Sequence, residues 1–518
     1  MNVYVPFLLL ITVAPASFEN WSLVPSLTDI FNDQTPITNF LEEQSDRVKK
    51  FVTSSYEDAV KMRDTLDDYV EDQQRKITSD LNNYVESVQE NGRKVADTFS
   101  FVPDQVPESM LENPDLVLTV PAIIGRNGYS CEIHTVVSQG YILNIHRISH
   151  SKLSTYVSKK TVLLQHGLFA SSADWVLNGP NKGLAYALAD AGYDVWMTNI
   201  RGNRYSREHA WLKTDSKTYW NFSWHDVALY DVPAVIDYIL KLKGAGTKIT
   251  YIGHSMGTTI LFAMLSMRPE YNKILSAGFA LAPVVFLSDF KSPLKSLAPI
   301  ASNLASIEML QGSYEFIPKT SILGRISNSC NGESFDSMLC KNVAFYICGY
   351  NEKQFNQTLL PVFLAHLGTG TSWKTAVHFS QEIVNDGRFQ YFDYGYYYNM
   401  KMYGSFNPPE YDLSKVTLPI KLFWSKNDLL SSEKDVSALY YKLPYKPETY
   451  LIPDPDFNHL DYLWAVDAPR LLNDEVLRSL ETGYWANHDV MTSFIYIDNV
   501  TGKSILYIYI YIKHSRVG

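Results

Sequence analysis

Ser255 stands in the run KITYIGHSMGTTILFAML (248–265), where five strand-like residues lead into Gly-His-Ser-Met-Gly and an apolar, helix-like stretch follows. A neutral serine hydroxyl is a weak nucleophile and gains reactivity only where its surroundings expose it and take its proton. The spacing Gly253-x-Ser255-x-Gly257 suits a sharp strand-to-helix turn that holds its central residue strained and protruding. Glycines on either side remove side chains for which such a turn has no room. The chemistry in view is attack on an ester carbonyl, and it needs a base, an orienting acid and an oxyanion site.

In a parallel α/β sheet with such a turn, the acid and then the histidine follow the serine, each in a loop after a strand. Asp428 comes just after the strand-like PIKLFW (419–424), and His459 lies in the loop after ETYLIP (448–453). Of the 12 histidines, His146 falls within a strand, His166 and His254 adjoin other site segments, and His366, His378 and His488 lack strand-end context. Asp435 falls in the helix after Asp428, while Asp456 and Asp461, neighbours of His459, read as solvated carboxylates. His459 would take the serine proton, and Asp428 would fix its tautomer and stabilise the imidazolium. Backbone N–H groups should meet the oxyanion: that of Met256, after the nucleophile, and that of Leu168 in the early loop His166-Gly167-Leu168.

The elements that must position these groups alternate along the chain. Strands are expected at 141–147, 161–166, 193–199, 248–252, 277–284, 419–424 and 448–453, with helical segments such as GLAYALADAG and VALYDVPAVIDYILKLK between several of them. Near-continuous apolar strands alternating with helices imply a mostly parallel sheet covered on both faces. Residues from about 285 to 395 break this rhythm with helices and the short loop CNGESFDSMLC, and an insertion there should lie over the strand C-termini as a cap.

Outside that region the chain changes character. Residues 1–16 end an apolar run in Ala14-Pro15-Ala16, the pattern of a secretory signal peptide, and the run is too short to span a bilayer. Sequons at Asn20, Asn221, Asn356 and Asn499 fit a secretory route. Within 17–102, residues 37–102 hold apolar positions three and four apart with heavy charge between them, an acidic amphipathic helix or two. That extension either packs on the rest of the chain or serves a partner, a second copy or a lipid surface. Prolines 103, 107, 114 and 121 then mark a linker, and residues 476–518 form a tail ending in SILYIYIYIKHSRVG.

The chain of 518 residues has ordinary globular composition, 46% hydrophobic and 19% charged. A net charge of −10 without a basic cluster argues against a nucleic-acid partner. Four cysteines are too few for a disulfide-built scaffold, and no Cys-x-x-Cys pair suggests zinc. Cys330 and Cys340 bracket a short loop and could close a bridge in an oxidising compartment, whereas Cys348, in the apolar run VAFYICGY, reads as a buried thiol.

The segments LLQHGLFASSADW, LADAGYDVWMTNIRGNRYS, YDVPAVIDYI, GHSMGTT, NDLL and NHLDYLWAVDAPR together resemble the acid lipases, the gastric and lysosomal lipase family with its insect members. The resemblance runs from about residue 113 to 475. It implies an α/β-hydrolase fold with a helical cap, and a carboxyl-ester hydrolase of neutral lipids that needs no cofactor or metal. It carries the triad onto Ser255, Asp428 and His459, the oxyanion donors onto Leu168 and Met256, and matches the cysteine loop and third cysteine. The implied localisation is secreted, with the lysosome as second choice, and an acidic pH optimum is a family expectation. Where the family usually has glutamine this chain has Met256, and neither the helical extension nor the tail has a counterpart in the vertebrate enzymes. The alternative is a catalytically idle lipid-binding or yolk protein of lipase descent, for which a damaged triad would be expected.

Overall fold

The computed structural model describes residues 113–149, 160–299, 301, 314–316, 345–367, 369–483, 497–498 and 505–506. The leader segment, the helical extension, the loop between Cys330 and Cys340, Asn20 and Asn499 lie outside the described residues. Of the tail beyond Gly483, Ile497–Asp498 and Ile505–Leu506 are described, paired antiparallel.

The strands are β1 (Glu132–Ser138), β2 (Tyr141–Ile148), β3 (Thr161–Gln165), β4 (Asp194–Met197), β5 (Glu208–His209), β6 (Ile249–His254), β7 (Leu275–Leu281), β8 (Glu315–Phe316), β9 (Thr371–Ser372), β10 (Ile420–Trp424) and β11 (Glu448–Leu451). The helices that matter for the site are α1 (Leu184–Asp190), α2 (Val232–Lys243), α3 (Met256–Met267), α4 (Leu360–His366), α5 (Trp373–Val384), α6 (Tyr396–Tyr403), α7 (Glu433–Lys442), α8 (Asp461–Trp464) and α9 (Asp474–Thr482). The main sheet runs β1-β2-β4-β3-β6-β7-β10-β11, with β5 pairing β2. From β4 to β11 every pairing is parallel, and β1, β2 and β5 add an antiparallel edge.

The inner parallel strands, β3, β4, β6, β7 and β10, each feed two cores at once, because successive side chains point to opposite faces. Val162 and Leu164 of β3 join the cluster that holds Trp175, Tyr186 and Leu472, while Leu163 joins the one that holds Ile236, Ile260 and Leu422. Every residue of β3, β4, β6 and β10 is buried, as a strand covered by helices on both faces requires. Strand β1 was not foreseen from the sequence. It puts Ile133 and Val137 outward and exposed while Val136 turns inward, so its apolar residues do not mark one face.

From β3 the chain crosses to β4 on one side and later returns to β6 on the other. At such a reversal the loops leaving adjacent strands diverge and open a crevice at their C-terminal ends. The loop after β3 and the turn after β6 flank it. The insertion between β7 and β10 reaches the same end. Phe316 of β8 packs on Phe169 in the loop after β3 at 5.3 Å, and Arg207, beyond β4, forms a two-bond pair with Glu315 at 2.6 Å.

Candidate active site

The turn between β6 and α3 is built by close approach. A Cβ on Gly253 would meet the backbone of Gly257 at 2.7 Å, and one on Gly257 would lie 2.3 Å from the carbonyl oxygen of Gln165 on β3. Ser255 between them takes φ 54° and ψ −121°, a region L-residues seldom occupy, and it is less buried than its neighbours. Gly257→Ala is therefore expected to force β3 and α3 apart, lowering stability by about 3 kcal/mol or more in urea unfolding. An unchanged unfolding midpoint would mean that the turn is looser than this contact requires.

Asp428 and His459, which the sequence places on separate loops, meet. Nδ1 of His459 lies 3.0 and 2.9 Å from the two carboxylate oxygens of Asp428, and both side chains are buried. Oδ1 of Asp428 also accepts the N–H groups of Leu430 at 2.9 Å and Ser431 at 2.8 Å. The carboxylate is thus held by its own loop and aimed at the imidazole. His254, the residue before the serine, donates from Nε2 to the carbonyl of His459 at 3.0 Å, and the two rings lie 4.9 Å apart. Burial, and then the nearby imidazole of His459, keep His254 well below its ordinary pKa and neutral. Among the described residues no hydrogen bond reaches Ser255 Oγ. Serine–histidine bonds commonly close only when substrate is bound.

The loop after β3 is pinned from both sides. His166 donates from Nδ1 to the Gly167 carbonyl at 2.8 Å and accepts the N–H of Ile200 at 3.3 Å, and burial pushes its pKa down to about 4. Gly167 brings this loop onto Ser255: a Cβ there would stand 3.2 Å from Ser255 Cβ. The N–H groups of Leu168 and Met256 have no acceptor among the described residues, a condition the oxyanion role expected of them requires. Phe169 follows at φ 60°, and its carbonyl takes the N–H of Thr369 from the insertion at 3.2 Å.

Residues 345–351, in the insertion between β7 and β10 and carrying the expected buried thiol Cys348, hold the candidate site together. The carbonyl of Cys348 accepts the N–H of both His459 and Leu429 at 3.4 Å. Asn458 and Asn427 donate to the carbonyls of Gly349 at 2.9 Å and Tyr350 at 2.8 Å. Asn351 donates to Asp461 at 2.8 Å, and Asp461 also accepts the N–H of Asn458 at 2.8 Å. The reading of Asp461 as a solvated carboxylate is corrected: it is buried at the start of α8, because the loop carrying His459 must fold against Asn351. Asp456 is exposed and Asp435 lies in α7, as expected. Cys348 is a buried thiol whose pKa burial pushes up. Among the described residues no cluster could hold a metal ion, and no helix is long and apolar enough to cross a membrane.

Residues 160–298 match the alpha/beta hydrolase fold family, and residues 120–179 match a partial alpha/beta-hydrolase lipase region. The chain is 39% identical over 389 residues to Lipase 1 of Drosophila melanogaster, covering 73% of this chain and 84% of that one. It is 40% identical to Drosophila Lipase 3, over 69% of this chain and 92% of that one. It is 39% identical to the gastric triacylglycerol lipase of Rattus norvegicus, over 70% and 92%. The chain belongs to the acid lipase family. It is a carboxylic ester hydrolase of the α/β-hydrolase fold.

In this acid lipase, buried ionisable groups near the site shift in opposite directions. Burial pushes the carboxyls of Asp461 and Asp174 up to about 7 and the imidazole of His146 down to about 4, beside that of His166. A carboxyl raised on folding stabilises fully below its ordinary value of about 4, and that contribution fades as pH climbs through 7. A histidine depressed on folding contributes above about 6.5, and its contribution fades as pH falls through 4. The pairs oppose each other, which flattens the acid lipase's stability between pH 4 and 7. Asp461→Asn keeps the acceptor for Asn351 and Asn458 but cannot ionise. Its melting temperature relative to wild type is expected to rise steadily from pH 4 to 7; a pH-independent difference would show that this carboxyl is not held protonated.

Proposed function

We propose that this acid lipase is a secreted enzyme that hydrolyses carboxyl esters of neutral lipids, triacylglycerols or similar, through an acyl-enzyme on Ser255. The observation that carries the reading is the Asp428–His459 pair, with Nδ1 of the histidine committed to the carboxylate. Nε2 then carries the free lone pair and takes the hydroxyl proton as Ser255 Oγ attacks the ester carbonyl carbon. The oxygen that gains the electron pair meets the N–H groups of Leu168 and Met256. As the carbon–oxygen bond to the alcohol breaks, His459 returns the proton to the departing alkoxide. Water then repeats the sequence on the acyl-enzyme and releases the fatty acid. The names of the rat and fly relatives support lipid esters as the substrate class. Secretion is supported by the leader-like 1–16 and the sequons, of which Asn221 is exposed.

The test pairs turnover with trapping. Purified protein is assayed on emulsified triolein from pH 4 to 8, and separately treated with a long-chain p-nitrophenyl phosphonate, followed by peptide mapping. Fatty-acid release with the phosphonyl group on the Ser255 peptide supports the proposal. Folded protein that neither releases fatty acid nor takes the label would overturn it in favour of a lipid carrier.

A further inference from the structure

Helix α6 displays what a water-soluble surface normally hides. Tyr396 and Tyr397 are each 74% exposed and Tyr398 57%, and Met400, Met402 and Phe406 are exposed beside them. Lys401 is the one charged residue in Tyr396–Tyr403, in a chain whose net charge is −10. The helix is nevertheless fixed in place. Gly395 and Gly404 bound it, and buried Asn399 donates to Asp393 at 2.7 Å and to the Phe406 carbonyl at 2.9 Å while accepting the N–H of Tyr394 at 2.9 Å. The aromatic side chains are therefore held outward, not left loose.

The arrangement also says what it fits. A helix that docks in a protein groove repeats its apolar residues three and four apart along one stripe. Here three consecutive tyrosines point about 100° apart, with Met400 and Met402 between further directions, so the apolar surface wraps around the helix as a knob. A fluid surface accepts a knob, and tyrosine suits the boundary between hydrocarbon and water because its ring is apolar and its hydroxyl is wet. The location agrees. Tyr403 packs on Tyr391, which lies edge-on to His225. His225 sits in the segment leading into α2, the helix that returns the chain to the start of β6, so that segment lies at the C-terminal end of the sheet. Ser255 leaves β6 at that same end.

We propose that α6 is an interfacial anchor, inserting its tyrosines and methionines into the surface of a neutral-lipid particle so that the crevice above Ser255 faces the lipid. The proposal rests on the lipase reading above, and the experiment separates the two. Full-length Ser255→Ala protein, with and without Tyr396→Ser, Tyr397→Ser and Tyr398→Ser together, is floated with a triolein emulsion stabilised by phosphatidylcholine. The same triple substitution in the active protein is assayed on triolein emulsion and on soluble p-nitrophenyl butyrate. The three side chains are exposed, so the fold should survive, and the soluble ester checks it. Expected are about tenfold weaker emulsion binding, a matching loss of triolein hydrolysis, and butyrate hydrolysis within about twofold of wild type. Emulsion binding that depends on the tyrosines in a protein inactive on both esters would sustain the anchor while removing the lipase reading. Unchanged emulsion binding would overturn the anchor, and a changed sedimentation coefficient alongside it would make the knob a seat for another protein surface.

Discussion

Ser255→Ala is expected to lower kcat on both soluble and emulsified esters by about 10⁵–10⁶ while leaving the fold intact. The separation of the two effects follows from what the hydroxyl does. The strained turn is maintained by backbone: the N–H of Ser255 donates to the Leu281 carbonyl at 3.0 Å, and its own carbonyl accepts the N–H of Thr258 at 2.8 Å and the Thr258 hydroxyl at 2.6 Å. The close packing of Gly253 and Gly257 is untouched by the substitution. Nothing structural among the described residues depends on Oγ, so its loss removes the nucleophile alone. Residual rate above water, from Leu168 and Met256 acting on a water attack, is expected at about 10³. Melting within a degree or two of wild type, together with kcat at the residual level, is the predicted pair of results. A variant that keeps more than about 1% of kcat would mean that the acyl group is carried elsewhere.

The place of the candidate site was legible in the sequence because the turn at Ser255 is a local motif and the order of strands dictates where its expected partners must come. PIKLFW forms a fully buried strand and ETYLIP a half-buried one at the sheet edge, and both are rich in strand-forming residues, so the loops carrying Asp428 and His459 could be placed before any distance was known. What holds those loops could not. Asn351 and Asp461 are 110 residues apart, and neither sits in a motif that predicts the other. Asp461 looked solvated because a carboxylate near a histidine usually is; only folding shows that Asn351 and the Asn458 N–H replace its water. Gly349 shows the same limit. Its φ of +114° and a would-be Cβ 2.1 Å from the Asn427 carbonyl make it the point where the insertion threads under both catalytic loops. A lone glycine in VAFYICGY carries no such signal. The insertion between β7 and β10 therefore bears on the site itself. Through the carbonyls of Cys348 and Gly349 and the side chain of Asn351 it sets the height of His459, and through Thr369 it touches the loop after β3. Changes within it can therefore alter turnover.

Asp428→Asn is expected to cost about 10⁴ in kcat through the proton position on His459, with little effect on the fold. Oδ1 of Asp428 accepts two backbone N–H groups, from Leu430 and Ser431, and lies 3.0 Å from Nδ1 of His459, whereas Oδ2 has only that Nδ1, at 2.9 Å. An asparagine in this pocket has one carbonyl oxygen to offer. Two N–H donors oblige it to occupy the Oδ1 position, which turns the amide NH₂ toward Nδ1 of His459. An Nδ1–H would meet that NH₂ hydrogen to hydrogen, so the ring proton moves to Nε2, Nδ1 accepts from the amide, and the lone pair needed to take the Ser255 proton is lost. The amide also cannot stabilise the imidazolium. Both losses fall on the chemical step, so KM for a soluble ester should change little while kcat collapses. The deficit should shrink as pH rises, because a more alkaline solution supplies serine alkoxide or hydroxide without the histidine. A rate profile parallel to wild type at every pH would contradict this account, since a misplaced tautomer and a weakened base do not titrate alike. Asp428→Ala makes the contrast sharper. It leaves Leu430 and Ser431 without their acceptor, so it is expected to lose about 1–3 kcal/mol of stability where the asparagine variant loses almost none.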